Sequence, residues 1–246
     1  MNYGFILPVD LTLENMKNQR LHILCAIVFI AFFVMLSGCK KDKDESIVDG
    51  DGNEYISVRI GDQAWMVGDL KTTSFNDGTE IPLIIDGAEW IAATGSAYCF
   101  YDNNIGNKDT YGALYNWYAV STGRLCPQGW HVASQGDWNE LVDFLGGDVV
   151  AGGKLKTTGT VEGADGLWFQ PNVSATNEYG LSIVPGGERS AGSGGFFDLG
   201  YGGLWWSSTE FDANRGYFFY INNFDAAVGA SDAAKRNGFS VRCVKN

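Results

Sequence analysis

Hydrophobic spacing is clearest between Tyr111 and Gly147. Trp138, Leu141, Val142 and Leu145 recur at i, i+3, i+4 and i+7, one apolar stripe on a helical period. Ser134 with Asp137 three residues on predicts the start as a capping box, Asp replacing the usual Glu or Gln. Gly146 and Gly147 predict its left-handed stop. Upstream, Tyr111, Leu114, Tyr115 and Tyr118 fall on one face of a first helix, with Trp117 beside them. Cys126 and a short strand around His131 separate the two.

Elsewhere the period is two. Ile56, Val58 and Ile60 alternate with Ser57 and Arg59, a half-buried strand; Gly61-Asp62 is a turn and Gln63 to Val67 the returning strand. Asn76-Asp77-Gly78-Thr79 marks another turn, and Ile81 to Ile85, holding Pro82, is at most an edge strand. Trp90 to Ala93 reads either way, and Ala97 to Tyr101 reads as a buried strand. Leu167 to Phe169 and Leu181 to Val184 predict short strands around a loop from Pro171 to Tyr179. Pro185 to Asp198 reads as a glycine-rich loop, and Gly203 to Thr209, Gly216 to Asn222 and Gly238 to Val244 as strands. Strands, two helices, then strands make an α+β chain. Adjacent Trp205 and Trp206 must point to opposite faces of their strand, so one can join the core while the other faces outward or lies under a loop.

The N-terminal segment follows a different logic. Leu21 to Leu36 is a sixteen-residue apolar run after Lys17 and Arg20, followed by Ser37-Gly38-Cys39. A charged start, a short hydrophobic core and small residues before a cysteine predict a signal peptide with a bacterial lipobox. Residues 1–38 are then the leader, with Met16 the expected start and 1–15 an upstream extension. Cys39 is the expected lipidation site, residues 39–53 a flexible tether, and residues 54–246 the folded domain. The Lys/acidic run after Cys39 resembles the surface-export signals of Bacteroidetes lipoproteins. It implies lipid anchoring in the outer membrane, facing the exterior.

The chain has a net charge of −12, and the leader contributes none of it, holding two cations and two acids. Such a surface repels phosphate backbones and excludes nucleic acid as an expected partner. With 33 glycines and 14% aromatics, the composition predicts a loop-rich fold held by large buried rings. Once Cys25 and Cys39 are set aside, Cys99, Cys126 and Cys243 remain for an exported chain, enough for one disulfide and one thiol in any pairing.

Candidate chemistry is thin. His131 is the sole histidine after Cys39, and its place between Trp130 and Val132 in an alternating strand favours a structural role over a Ser-His-Asp arrangement. His/Cys metal clusters lack ligands, and Gly152-Gly153-Lys154 is followed by Leu155 where a phosphate loop needs Ser or Thr. No metal or other cofactor is expected. The same alternation applies to Tyr217, Phe218, Phe219 and Tyr220, and an exposed Trp205, Trp206 or Tyr beside Asn172, Asn177 and Glu178 could stack on a sugar ring or anchor a protein partner, unless covering loops bury them all.

The segments WMVGDLKTT, FNDGTEIPL, YGALYNWYAV, LCPQGWHVAS, DWNELVDFLGG, AGGKLK, ATNEYGLSIVPGG, GLWWSST and GFSVRCVKN together resemble the Fibrobacter succinogenes major paralogous domain, from about Val58 to Asn246. Ala133 and Leu181 stand where the family usually has Pro and Phe. That family is similar in turn to the C-type lectin-like fold and its formylglycine-generating branch. The resemblance implies a C-type lectin-like architecture, a Cys126–Cys243 disulfide, and Cys99 left as a buried thiol. The formylglycine chemistry needs reactive cysteines near the C-terminus, and the implied disulfide consumes Cys243. Gln170-Pro171-Asn172 is similar to half of the lectin calcium motif; its Trp-Asn-Asp companion is absent, with Trp205-Trp206-Ser207 in the comparable strand.

The resulting expectation is a surface lipoprotein acting as a non-catalytic binding or adhesion module for extracellular glycan or protein, through the loops between Gly159 and Gly203. The alternatives are a cell-envelope enzyme of the formylglycine-generating branch and a purely structural surface protein.

Overall fold

A computed structural model describes residues 47–246. The expected leader, the lipidated Cys39 and the tether up to Ser46 lie outside the described residues. From Ile47 the described chain packs into the core, Ile47 being buried in one cluster with Tyr55 and Phe75. Strands β1 (Ile47–Val48) and β2 (Glu54–Tyr55) pair antiparallel. The Asp49 carboxylate closes their turn by accepting from the amides of Asp51 and Asn53 and from the Tyr55 hydroxyl at 2.7 Å.

The predicted hairpin follows as β3 (Ser57–Ile60) and β4 (Gln63–Met66), with Gly61 at φ 61° supplying the turn. The ambiguous Trp90 segment is helix α1 (Gly87–Ala92), capped by Asp86, and Tyr98–Cys99 forms β5. The expected first long helix is broken. Its residues divide into α2 (Lys108–Tyr111), β6 (Leu114–Tyr115) and α3 (Trp117–Val120). Gly112, at φ 72° and ψ −157°, ends the first turn because the backbone there passes so close to Asp69 and Leu70 that a Cβ would lie 2.8 Å from the Leu70 carbonyl oxygen. Asn116 then caps a new turn, accepting from the Ala119 amide.

After β7 (Trp130–Val132) comes α4 (Gln135–Phe144), with the predicted capping box formed and Trp138, Leu141, Val142 and Leu145 buried. Gly146 and Gly147, at φ 100° and 99°, turn the chain into α5 (Asp148–Leu155). The Pro185 to Asp198 segment is a correction: it forms a hairpin of β8 (Gly186–Arg189) and β9 (Phe196–Leu199). Local composition hides it because its register is fixed from a distance. Arg189 is fully buried and donates to the carbonyls of Gly194, Ile84 and Ile85, between the rings of Trp90 and Phe196. Strands β10 (Gly202–Glu210), β11 (Arg215–Asn222), β12 (Gly229–Ala234) and β13 (Cys243–Lys245) complete the chain. Leu167–Phe169 and Leu181–Val184 are not strands, although Ile183 makes one isolated bridge to Lys156.

The α+β class therefore holds. One sheet has the order β12-β11-β10-β8-β9 and another β3-β4-β13-β7. The adjacent tryptophans take opposite faces as alternation requires, but both faces are covered. Trp205 enters a core with Trp65, Trp138 and Phe219, while Trp206 enters another with Tyr115, Trp117 and Phe239. Cys126 and Cys243 form the disulfide implied by the family resemblance, across 117 residues, and Cys99 is a buried free thiol. Among the described residues no helix is long and apolar enough to cross a membrane.

Candidate functional site

The expected ligand residues do not assemble on the surface. Trp205 and Trp206 are both 0% exposed, so of the two outcomes that alternation leaves open the structure takes the covered one. Each indole N–H is spent inside: Trp205 donates to Asp69 Oδ1 at 2.8 Å and Trp206 to the Tyr115 carbonyl at 2.8 Å. Asn172 is buried as well, its amide nitrogen donating to the Thr157 and Gly159 carbonyls, so it braces a turn. Asn177 accepts from the Ser182 amide and donates to the Ser182 hydroxyl, closing its own loop. Glu178 alone is exposed, 3.9 Å from Lys154.

The His131 neighbourhood is a helix cap. His131 Nε2 lies 3.1 Å from Asp137 Oδ2 and Nδ1 lies 2.7 Å from Asn246 Oδ1. Ser134 Oγ donates to Asp137 Oδ2 at 2.5 Å, not to the imidazole. A nucleophile needs its proton taken by the base, and here Ser134 delivers it to the carboxylate. Hydrogen bonding to Asp137 is the chief cause that raises the His131 pKa above 6.5. Burial pushes the Asp137 carboxyl up, but hydrogen bonds from His131 and Ser134 prevail and hold it at about 2.

A different surface is built from the loops beyond the α4–α5 region. Phe169 donates its amide to the Gly200 carbonyl at 2.8 Å and lays its ring against Gly200, which sits at φ 83°. A Cβ at Gly200 would stand 2.5 Å from that ring, so only glycine admits the contact. Phe169 then stacks on Tyr201, with centroids 4.6 Å apart and planes 32° apart. Tyr201 is 53% exposed, a ring held flat from behind and open in front.

Asn223 knits this shelf together. Its amide donates to the Tyr201 carbonyl at 2.9 Å, and its Nδ2 donates to the carbonyls of Phe169 at 3.2 Å and Gln170 at 2.8 Å. Phe224, next in the same turn, is 64% exposed. Beneath, fully buried Lys156 donates from Nζ to the Asn222 carbonyl at 3.0 Å and the Asp225 carbonyl at 2.7 Å, above the Trp168 ring. Burial without a paired carboxylate lowers its pKa to about 8. Three loops, around Phe169, Tyr201 and Asn223, are thus joined into one rim by main-chain bonds and by the Asn223 side chain.

The shelf lies in the expected loop region between Gly159 and Gly203, and its rings are ones that the hydrophobic pattern does not single out. Tyr201 itself stands between Gly200 and Gly202, in a stretch with no hydrophobic period to bury it. Among the described residues no group of three or more His, Cys, Asp or Glu side chains could hold a metal ion.

A disulfide-closed α+β domain with an aromatic shelf on rigid loops is the class that fold and surface define. The chain belongs to the Fibrobacter succinogenes major domain family, which matches residues 58–245. No curated protein and no solved structure gives a significant match.

Proposed function

We propose that this chain is a lipid-anchored, cell-surface, non-catalytic module that binds extracellular glycan on the shelf formed by Phe169 and Tyr201. The observation that carries this reading is the exposed Tyr201 ring, backed by Phe169 and fixed at its main chain by Asn223. A pre-positioned ring stacks on the apolar face of a pyranose without losing rotamer freedom on binding. Size favours glycan over protein. Tyr201, Phe224 and the partly covered Phe169 offer roughly 300 Å², taking on the order of 200 Å² for each free ring. Stable protein interfaces use about 800 Å² per partner.

The finer fold assignment is also part of the proposal. The order of short helix, Cys126, β7 and α4, with Cys126 tied to the last strand, supports a C-type lectin-like arrangement. Outer-membrane placement rests on the leader, the Cys39 lipobox and the charged run after it. The test is a glycan array probed with the purified protein, with and without calcium, in wild-type and Tyr201→Ala forms. Glycan signals that vanish in the variant support the reading. Signals unchanged by the substitution remove the shelf from it.

A further inference from the structure

We propose that the shelf selects saccharides bearing free amino groups, the sugar's apolar face resting on Tyr201 and its ammonium facing the carboxylates around the rim; this rests on the reading of the shelf as a glycan site. Two of the three loops that form the rim carry an acid, Glu162 on one and Asp198 on the other. Glu162 reaches across to accept from the Gln170 amide at 3.0 Å, which places its carboxylate beside Phe169. The Asp198 carbonyl accepts from the Tyr201 amide at 3.0 Å, and the Asp198 Cβ lies 3.9 Å from where a Cβ on Gly202 would stand. Asn222 Oδ1 lies 3.2 Å from the same point, so an amide oxygen stands on the same side of the backbone as the base of the Asp198 side chain. Glu188 is near enough that burial and then the Asp198 charge raise its pKa.

Nothing described neutralises these groups. Among the described residues Glu162, Glu188 and Asp198 make no ion pair with a described cation. Lys156, beneath the rim, turns its ammonium inward to the Asn222 and Asp225 carbonyls. An aromatic face beside unpaired carboxylates suits a cation with an apolar body and repels an anion. Hexosamines with free amines combine those two properties in one ring, whereas uronic acids place the wrong charge there.

The test uses the purified protein with four soluble probes: a chitosan hexamer, its fully N-acetylated counterpart, an oligogalacturonate and hexalysine. Binding is followed by calorimetry at low and high salt. The expected result is a preference for the free-amine hexamer over the N-acetylated one of about two- to fivefold, the scale of exposed charge pairs. The preference closes at high salt because the charges are exposed. Asp198→Asn narrows it, and Asn tolerates the left-handed backbone that Asp198 adopts at φ 65°. Tyr201→Ala weakens both hexamers.

Equal affinity for the two hexamers, or tighter binding of oligogalacturonate, overturns the inference; if Tyr201→Ala still weakens binding, the glycan reading stands. Hexalysine binding as tightly as the chitosan hexamer shows general attraction to an acidic surface and also overturns it. Binding of none of the saccharides here or on the array overturns both.

Discussion

Arg242→Met is the sharpest test of what holds the domain closed. The side chains of Arg242 and Asp69 are both 0% exposed, with Nε 2.6 Å from Oδ1. The guanidinium also donates to the carbonyls of Met66 at 3.1 Å, Leu181 at 3.0 Å and Ser182 at 3.1 Å. One side chain thus joins the N-terminal hairpin, the Leu181 turn and the last strand. Methionine fills the volume but leaves the Asp69 carboxylate without its cation, while the Trp205 N–H still donates to Oδ1. Breaking a buried pair by removing one partner costs about 3–5 kcal/mol, and the three carbonyls left without donors push toward the upper end. Burial already drives the Asp69 pKa up against the pull of Arg242, so in the variant the carboxyl takes a proton, which limits the loss. The expected destabilisation is about 4 kcal/mol, read as a drop in urea midpoint at constant m-value. Arg242→Met with Asp69→Asn recovers about half, because no charge is then buried. Should Arg242→Met not fold, Arg242→Lys, which keeps the charge but loses the fork, gives a loss of about 2 kcal/mol. A loss under 1 kcal/mol in Arg242→Met refutes the reasoning.

Three further outcomes follow from the same geometry. Replacing Cys126 and Cys243 together with Ser reopens a 117-residue separation and lowers stability by about 4–5 kcal/mol in the chain-entropy model; a change below 1 kcal/mol in urea titration contradicts it. The His131–Asp137 contact makes stability depend on pH at both ends. The depressed Asp137 contributes fully above its ordinary 3.8 and is lost as pH falls through about 2; the raised His131 contributes fully below 6.5 and is lost as pH rises through its folded pKa. His131→Gln therefore lowers stability most between about pH 4 and 6.5, by about 1 kcal/mol after allowing for the exposed imidazole, and a pH-independent difference would count against the contact. Lys156, depressed to about 8 from 10.5, gives the opposite trend: wild type gains stability from pH 8 to 10.5, and Lys156→Met abolishes that rise in a thermal-melt series.

What the sequence disclosed was whatever a short window determines. The α4 cap, its apolar stripe and its glycine stop lie within fourteen residues, and the Ser57–Met66 hairpin needs only alternation and Gly61. The broken helix near Tyr111 was out of reach because Gly112 is constrained by Asp69 and Leu70, distant in sequence. The β8–β9 hairpin was hidden for a related reason: Arg189 is held by the carbonyls of Ile84 and Ile85, about a hundred residues away. Alternation correctly separated Trp205 from Trp206, yet it cannot report that both faces of a strand are covered. The shelf fell between these cases. Its loops were in view, but the partner that exposes Tyr201 is Phe169, which no periodicity links to it.

Glycan binding by the Tyr201→Ala variant, measured beside its melting temperature, tests the central claim most directly. Tyr201 is 53% exposed, so the account predicts a melting temperature close to wild type. Loss of one stacking ring should weaken glycan affinity about tenfold. A variant that keeps both its melting temperature and its full glycan affinity would contradict the account.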